Sequence, residues 1–271
     1  MIQWHMQTLL TDSGVTYPLQ VAEVIEGDSL LASSLWVNVA LAGVAALLFA
    51  YMGQSVHGER SRMIWVVALF IPLVSISSYL GLLSGLTIGT LQMPAGHPLD
   101  EVVSQWGRYL TWAFSTPLIL AALGWLARVD KADMLAVIGA DIGMCLTGLA
   151  AAQTTASIEL RWAFYAVSCA FFAVVLYALL VTWPQKAKAA GTDDIFGTLR
   201  LLTVVLWLGY PIVWAIGVEG LALIESVGTT SWLYSGLDVL AKYVFAFLLL
   251  RWVANNESIV ESGGSAAPAD D

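Results

Sequence analysis

Seven times along this chain a run of about twenty apolar residues passes with almost no charge in it, and a helix rising about 1.5 Å per residue crosses a bilayer core in that length. The runs are Leu30–Met52, Met63–Leu86, Val103–Ala127, Met134–Gln153, Leu160–Trp183, Ile195–Gly217 and Trp232–Ala254. Lipid offers backbone groups no hydrogen-bond partner, so spans of this kind predict an all-α membrane protein built as a seven-helix bundle. A chain 59% hydrophobic and 11% charged, with mean hydropathy +0.78, is excluded from the ordinary soluble class. Its formal charge of -9 lies mostly in loops and termini, which argues against a nucleic-acid partner.

Positive charges set the expected orientation. Arg60, Arg62, Arg128, Lys131, Lys186 and Lys188 fall in the first, third and fifth connections, which are therefore expected on the cytoplasmic side. The N-terminus is then outside and the C-terminus inside. Residues 1–29 hold no Lys or Arg and read as an extracellular leader without a standard signal peptide; residues 30–257 read as the transmembrane domain. Residues 258–271, rich in Ser, Gly, Ala and Asp, read as a disordered cytoplasmic tail. The connection Thr87–Val102, with Pro94, Gly96 and Pro98, is the long one.

Two charges interrupt the seventh span. Lys242 lies roughly 15 Å from either end, too deep for a stem of about 6 Å to reach water. Asp238 precedes it by four residues and shares its helical face. An ion pair serving packing alone is one reading. A lysine kept for its amine is the favoured one, because a desolvated amine condenses readily with an aldehyde and the carboxylate then serves as counterion. In the third span Arg108, Thr111, Ser115 and Ala122 follow one stripe, a guanidinium with two hydroxyls inward of it; such donors in a low-dielectric site bind anions. Pro117 is expected to kink this helix. In the sixth span Thr203, Trp207, Tyr210 and Trp214 lie within about 60° on the helical wheel, a stripe suited to packing or to an apolar slot for a conjugated polyene. Arg200, at the same helix's cytoplasmic end, is an anchor or, with Thr203, a guide for an anion. Asp141 is expected to be neutral and hydrogen-bonded, Cys145 and Cys169 to be buried small hydrophobes, and the fifth-span aromatics stay undecided between packing and ligand wall.

The segment Arg108-Tyr109-Leu110-Thr111-Trp112 with Ser115 and Ala122, the Trp207–Trp214 segment and the Asp238–Lys242 pair resemble the microbial rhodopsins, and among them the halorhodopsins, archaeal light-driven chloride pumps. The resemblance spans all seven runs. It implies all-trans-retinal on Lys242 as a protonated Schiff base, Asp238 as counterion, and Trp112, Trp207, Tyr210 and Trp214 along the polyene, with Thr116, Met144, Ser168 and Phe172 as further pocket residues. Arg108, Thr111 and Ser115 would hold chloride or another halide; Thr203 and Arg200 would release it. Outward proton pumps of the family carry a carboxylate at the positions of Thr111 and Ala122, and neither residue here can relay a proton. The resemblance further implies a transporter, not an enzyme, placed in the archaeal cell membrane among lipid as a homotrimer with carotenoid between subunits. A sensory rhodopsin signalling through a transducer is the alternative.

Overall fold

A computed structural model describes residues 25–262. Most of the leader 1–29 and the stretch 263–271 of the tail lie outside the described residues. Among the described residues seven helices are long and apolar enough to cross a membrane: α1 Ser29–Ser55, α2 Glu59–Leu83, α3 Gly107–Leu126, α4 Lys131–Gln153, α5 Ile158–Ala189, α6 Asp193–Ile216 and α7 Val227–Asn255. The tail expected to be disordered begins instead as a short helix, α8 Glu257–Ser262. Its Val260 is buried in the core, and Glu261 accepts the Ser61 N–H (2.9 Å) at the start of α2, so side-chain contacts that composition does not reveal order it.

Sequence explains where most helices begin. Asp28 accepts the N–H groups of Leu30 and Leu31, both at 3.0 Å, and Ser157 and Ser226 cap α5 and α7 in the same way. Asp28 also accepts the Gly228 N–H at 3.1 Å, which ties the first turn of α1 to that of α7. Pro72, Pro117 and Pro211 all lie inside helices that continue through them.

All-helical architecture holds with one exception. The connection after α2 folds into an antiparallel hairpin, β1 Gly89–Gln92 with β2 Glu101–Ser104, paired from Gly89 opposite Ser104 to Gln92 opposite Glu101. The third span accordingly starts at Gly107 and not Val103. That helix is the enclosed one: 72% of its most apolar window is buried, against 22% for α5. Residues such as Leu47, Phe114 and Leu135 face outward, while Arg108, Asp238 and Lys242 face inward, the distribution a lipid solvent requires.

Candidate functional site

The middle of α7 departs from α-helical geometry. Val239–Val244 form a π-helical turn, wider by one residue, and Lys242 lies within it. Its side chain is 1% exposed, with Nζ 3.0 Å from Asp238 Oδ1. That contact is an ion pair without hydrogen-bond alignment, so the ammonium's donors are not used. Asp238 is satisfied otherwise: Tyr79 Oη–H donates to Oδ2 at 2.7 Å, and Tyr210 Oη–H (2.7 Å) and Trp112 Nε1–H (3.3 Å) donate to Oδ1. Three neutral donors plus the ammonium hold one carboxylate in a buried place.

Arg108 is arranged differently from the sequence expectation of a guanidinium facing an anion. Its Nε donates to Gln105 Oε1 (2.9 Å), one terminal nitrogen to Tyr79 Oη (2.9 Å) and the other to Ser231 Oγ (2.6 Å). Tyr79 therefore stands between Arg108 and Asp238. Thr111 donates to Gly107 O at 3.0 Å and touches the Ser78 hydroxyl, which reaches the same carbonyl. Ser115 is buried with no partner for its hydroxyl. Of the three expected anion donors, Ser115 has no partner, Thr111 donates to Gly107 O, and Arg108 donates to Gln105, Tyr79 and Ser231.

A cavity lined mostly by aromatic and apolar side chains opens between α3, α4, α5 and α6, with Tyr234 of α7 at its edge. All eight residues expected along a polyene line it: Trp112, Thr116, Met144, Ser168, Phe172, Trp207, Tyr210 and Trp214. Thr116 donates to Asp141 Oδ2 at 2.7 Å, and Ser168 donates to Met144 O at 2.8 Å. Asp141 forms no salt bridge among the described residues and leaves Oδ1 without a hydrogen-bond partner. Tyr165 settles the undecided aromatic run in part: its ring stacks on Trp214 at 4.7 Å and joins the wall, as do Cys145 and Cys169. Periodicity could not separate these from packing residues, since both face inward.

Thr203 and Arg200 do not touch this cavity. Thr203 is buried with its hydroxyl donating to Leu199 O at 2.9 Å, and Arg200 forms no salt bridge among the described residues. A second polar cluster, absent from the sequence reading, closes the Arg108 end. Glu219, in the loop after α6, accepts Tyr109 Oη–H at 2.6 Å; buried Arg161 donates to Glu219 O (2.6 Å), Ala152 O (3.0 Å) and Thr154 O (2.8 Å). Burial pushes the Glu219 carboxyl above its ordinary range, with the Tyr109 hydroxyl and the field of Arg161 pulling it back. A fully buried arginine was the available signal, masked because Arg161 stands near a span end, where an anchor is the ordinary explanation.

A model of the bacteriorhodopsin-like proteins matches residues 29–256. The halorhodopsin of Halobacterium salinarum is 65% identical over 257 residues, 94% of this chain and 93% of that protein. A solved halorhodopsin, described as a light-driven chloride pump, superposes with TM-score 0.85 at 69% identity, covering 86% of this chain and 99% of that one. The bromide-bound form of the Halobacterium salinarum protein gives TM-score 0.86 at 68% identity, covering 88% and 98%.

Proposed function

This chain belongs to the bacteriorhodopsin-like family, and from that premise we propose that it is a light-driven pump that moves chloride into the cell across the cell membrane. One observation carries the anion assignment. Three buried cations, Arg108, Lys242 and Arg161, stand against the buried acids Asp238 and Glu219, with Asp141 apart and bonded to Thr116, and the buried Ser115 hydroxyl on the α3 stripe has no partner. An uncompensated charge in apolar surroundings is expensive, and a halide completes the balance.

The cavity and the unused Lys242 donors fit retinal. Trp112, Trp207, Tyr210 and Trp214 would hold its chain, with Thr116, Met144, Ser168 and Phe172 closing the slot. Lys242 Nζ would hold retinal as a protonated Schiff base, and the group would supply light absorption and photoisomerisation there. Tyr79, Tyr210 and Trp112 donate to Asp238 and hold its carboxyl group in place. Ser115 and Thr111 offer hydroxyl protons to chloride, and Arg108 draws it in from the extracellular end. With Arg60, Arg128 and Lys186 on the cytoplasmic side, α3 runs inward from Arg108, so chloride moves toward Thr203 and Arg200. Thr111 and Ala122 have no titratable group, which speaks against proton relay through these two positions. The assembly attached to this reading is a homotrimer with lipid or carotenoid between protomers.

Chloride titration of the retinal-reconstituted protein tests the proposal. The visible absorption should shift and saturate, because the anion faces the protonated nitrogen; a spectrum indifferent to chloride refutes the site. In illuminated vesicles a protonophore should enhance the accompanying passive proton movement, and abolition of the pH signal would mean proton pumping.

A further inference from the structure

Asn38 belongs to no network described so far. It is a completely buried amide on α1 in the middle of an apolar span, where a polar side chain is costly unless both of its halves are bonded. Both are. Nδ2 donates to Ser235 O at 3.3 Å, and Oδ1 accepts Tyr243 Oη–H at 2.6 Å. Ser235 stands three residues before Asp238 and Tyr243 directly follows Lys242, so one side chain grips α7 on both sides of the ion pair. The segment between the two grips contains the α-to-π transition, and Ser235 O also accepts the N–H of Val239, where the wide turn begins.

A π turn is a marginal conformation, because its extra residue can be taken back by sliding the following helix one position. Such a slide rotates every later side chain by about 100°, which would carry Lys242 off the Asp238 face. Two bonds from a neighbouring helix, one before and one after, fix how many residues lie between them. The rest of the α1–α7 seam cannot do this: Ser34 bonds Ser231 Oγ at 2.5 Å and accepts the Ser235 hydroxyl at 3.2 Å, both on the Arg108 side of Asp238. Among the described hydrogen bonds, Tyr243 to Asn38 is the only side-chain bond between α1 and α7 beyond Lys242.

We infer that Asn38 is a positioning residue for the pump, a clamp that holds the π turn of α7 in register and thereby sets Lys242 against Asp238. It touches neither the cavity nor the anion donors. The inference rests on the reading that Lys242 carries retinal, but its first test does not.

That test is amide hydrogen exchange in the retinal-free protein, comparing Asn38→Leu, which removes both grips, with Tyr243→Phe, which removes one. Exchange over residues 239–244 should accelerate about tenfold in Asn38→Leu and less in Tyr243→Phe, with α3 and α6 unchanged. In the reconstituted pigment, both variants should shift the absorption maximum and weaken chloride binding in the titration, about threefold to tenfold for Asn38→Leu, and Asn38→Asp should restore part of the loss through its acceptor oxygen. Parental exchange over 239–244 in both variants overturns the clamp. So does an unchanged absorption maximum with unchanged chloride binding. If the parent chain takes up no retinal at Lys242, the proposed function fails, and the exchange measurement still decides the clamp. Should Asn38→Leu not fold, Tyr243→Phe decides alone: parental exchange and parental spectra there overturn the inference.

Discussion

The two halves of the bundle, divided at Lys242, are built from different materials. Toward Arg108 the interior is a bonded polar lattice: Arg108, Gln105, Tyr79, Ser231, Tyr109, Glu219 and Arg161 are all buried and joined to partners. Toward Arg200 it is mostly apolar, with Ile119, Leu123, Phe196, Leu249 and Val253 in one cluster, and Thr203 is a buried hydroxyl on this side, with Thr192 and Ser61 nearer the helix ends. A polar half lets an anion approach at low cost. A dry half denies it a resting place, so an anion crosses only when a moving charge accompanies it. On the proposed function, this difference would make the interior a valve, with the Asp238–Lys242 pair at its boundary.

The largest effect is expected where the halves meet. Lys242→Ala should abolish pigment formation completely, read as absence of a visible absorption band after retinal addition; a band of parental intensity would place the attachment elsewhere. A new carboxyl measures the contrast between the halves directly. In the dry half Ala122→Asp, at a site 0% exposed, should cost about 3 kcal/mol of stability. In the polar half Gln105→Glu should cost about 1 kcal/mol or less, because Arg108 Nε and Ser231 Oγ already donate to that oxygen. Equal losses in thermal unfolding would erase the distinction.

Ser115→Ala removes a hydroxyl with no protein partner, so stability should barely change while chloride affinity falls about tenfold, equivalent to 1.4 kcal/mol. A loss of stability with unchanged affinity would instead make Ser115 a packing residue. The smallest effect concerns Glu219. Its carboxyl is raised in the folded protein by burial, so its contribution to stability is full below the ordinary glutamate range and is lost as pH rises through the raised value. The parent should lose some thermal stability over that interval, and Glu219→Gln should flatten the profile while Tyr109 keeps an acceptor. A profile unchanged by the substitution would show that Glu219 stays ionised across the range.

How much was legible differs between the pair and its surroundings. The i, i+4 spacing of Asp238 and Lys242 placed them together, and the structure puts them 3.0 Å apart. It could not announce the π turn that carries Lys242, because a wide turn depends on partners such as Asn38 on another helix. The α3 stripe located Arg108, Thr111 and Ser115 on one face. Which of them keeps a free donor was decided by Tyr79, Ser231 and Ser78, residues that enter from α2 and α7. The hairpin Gly89–Ser104 and the helix Glu257–Ser262 escaped the reading because loop composition records solvent exposure and says little about docking.

By itself the sequence determined that seven apolar lengths must cross a membrane and that a deep amine shares a helical face with an acid. These follow from local chemistry: the rise of a helix, its periodicity and the cost of charge in lipid act within one span. Only the tertiary structure decided which buried donors are spent and which remain open, and that Glu219 with Arg161 closes the Arg108 end. Hydrogen-bond satisfaction is a property of neighbours, and in a bundle the neighbours come from helices far apart in the chain.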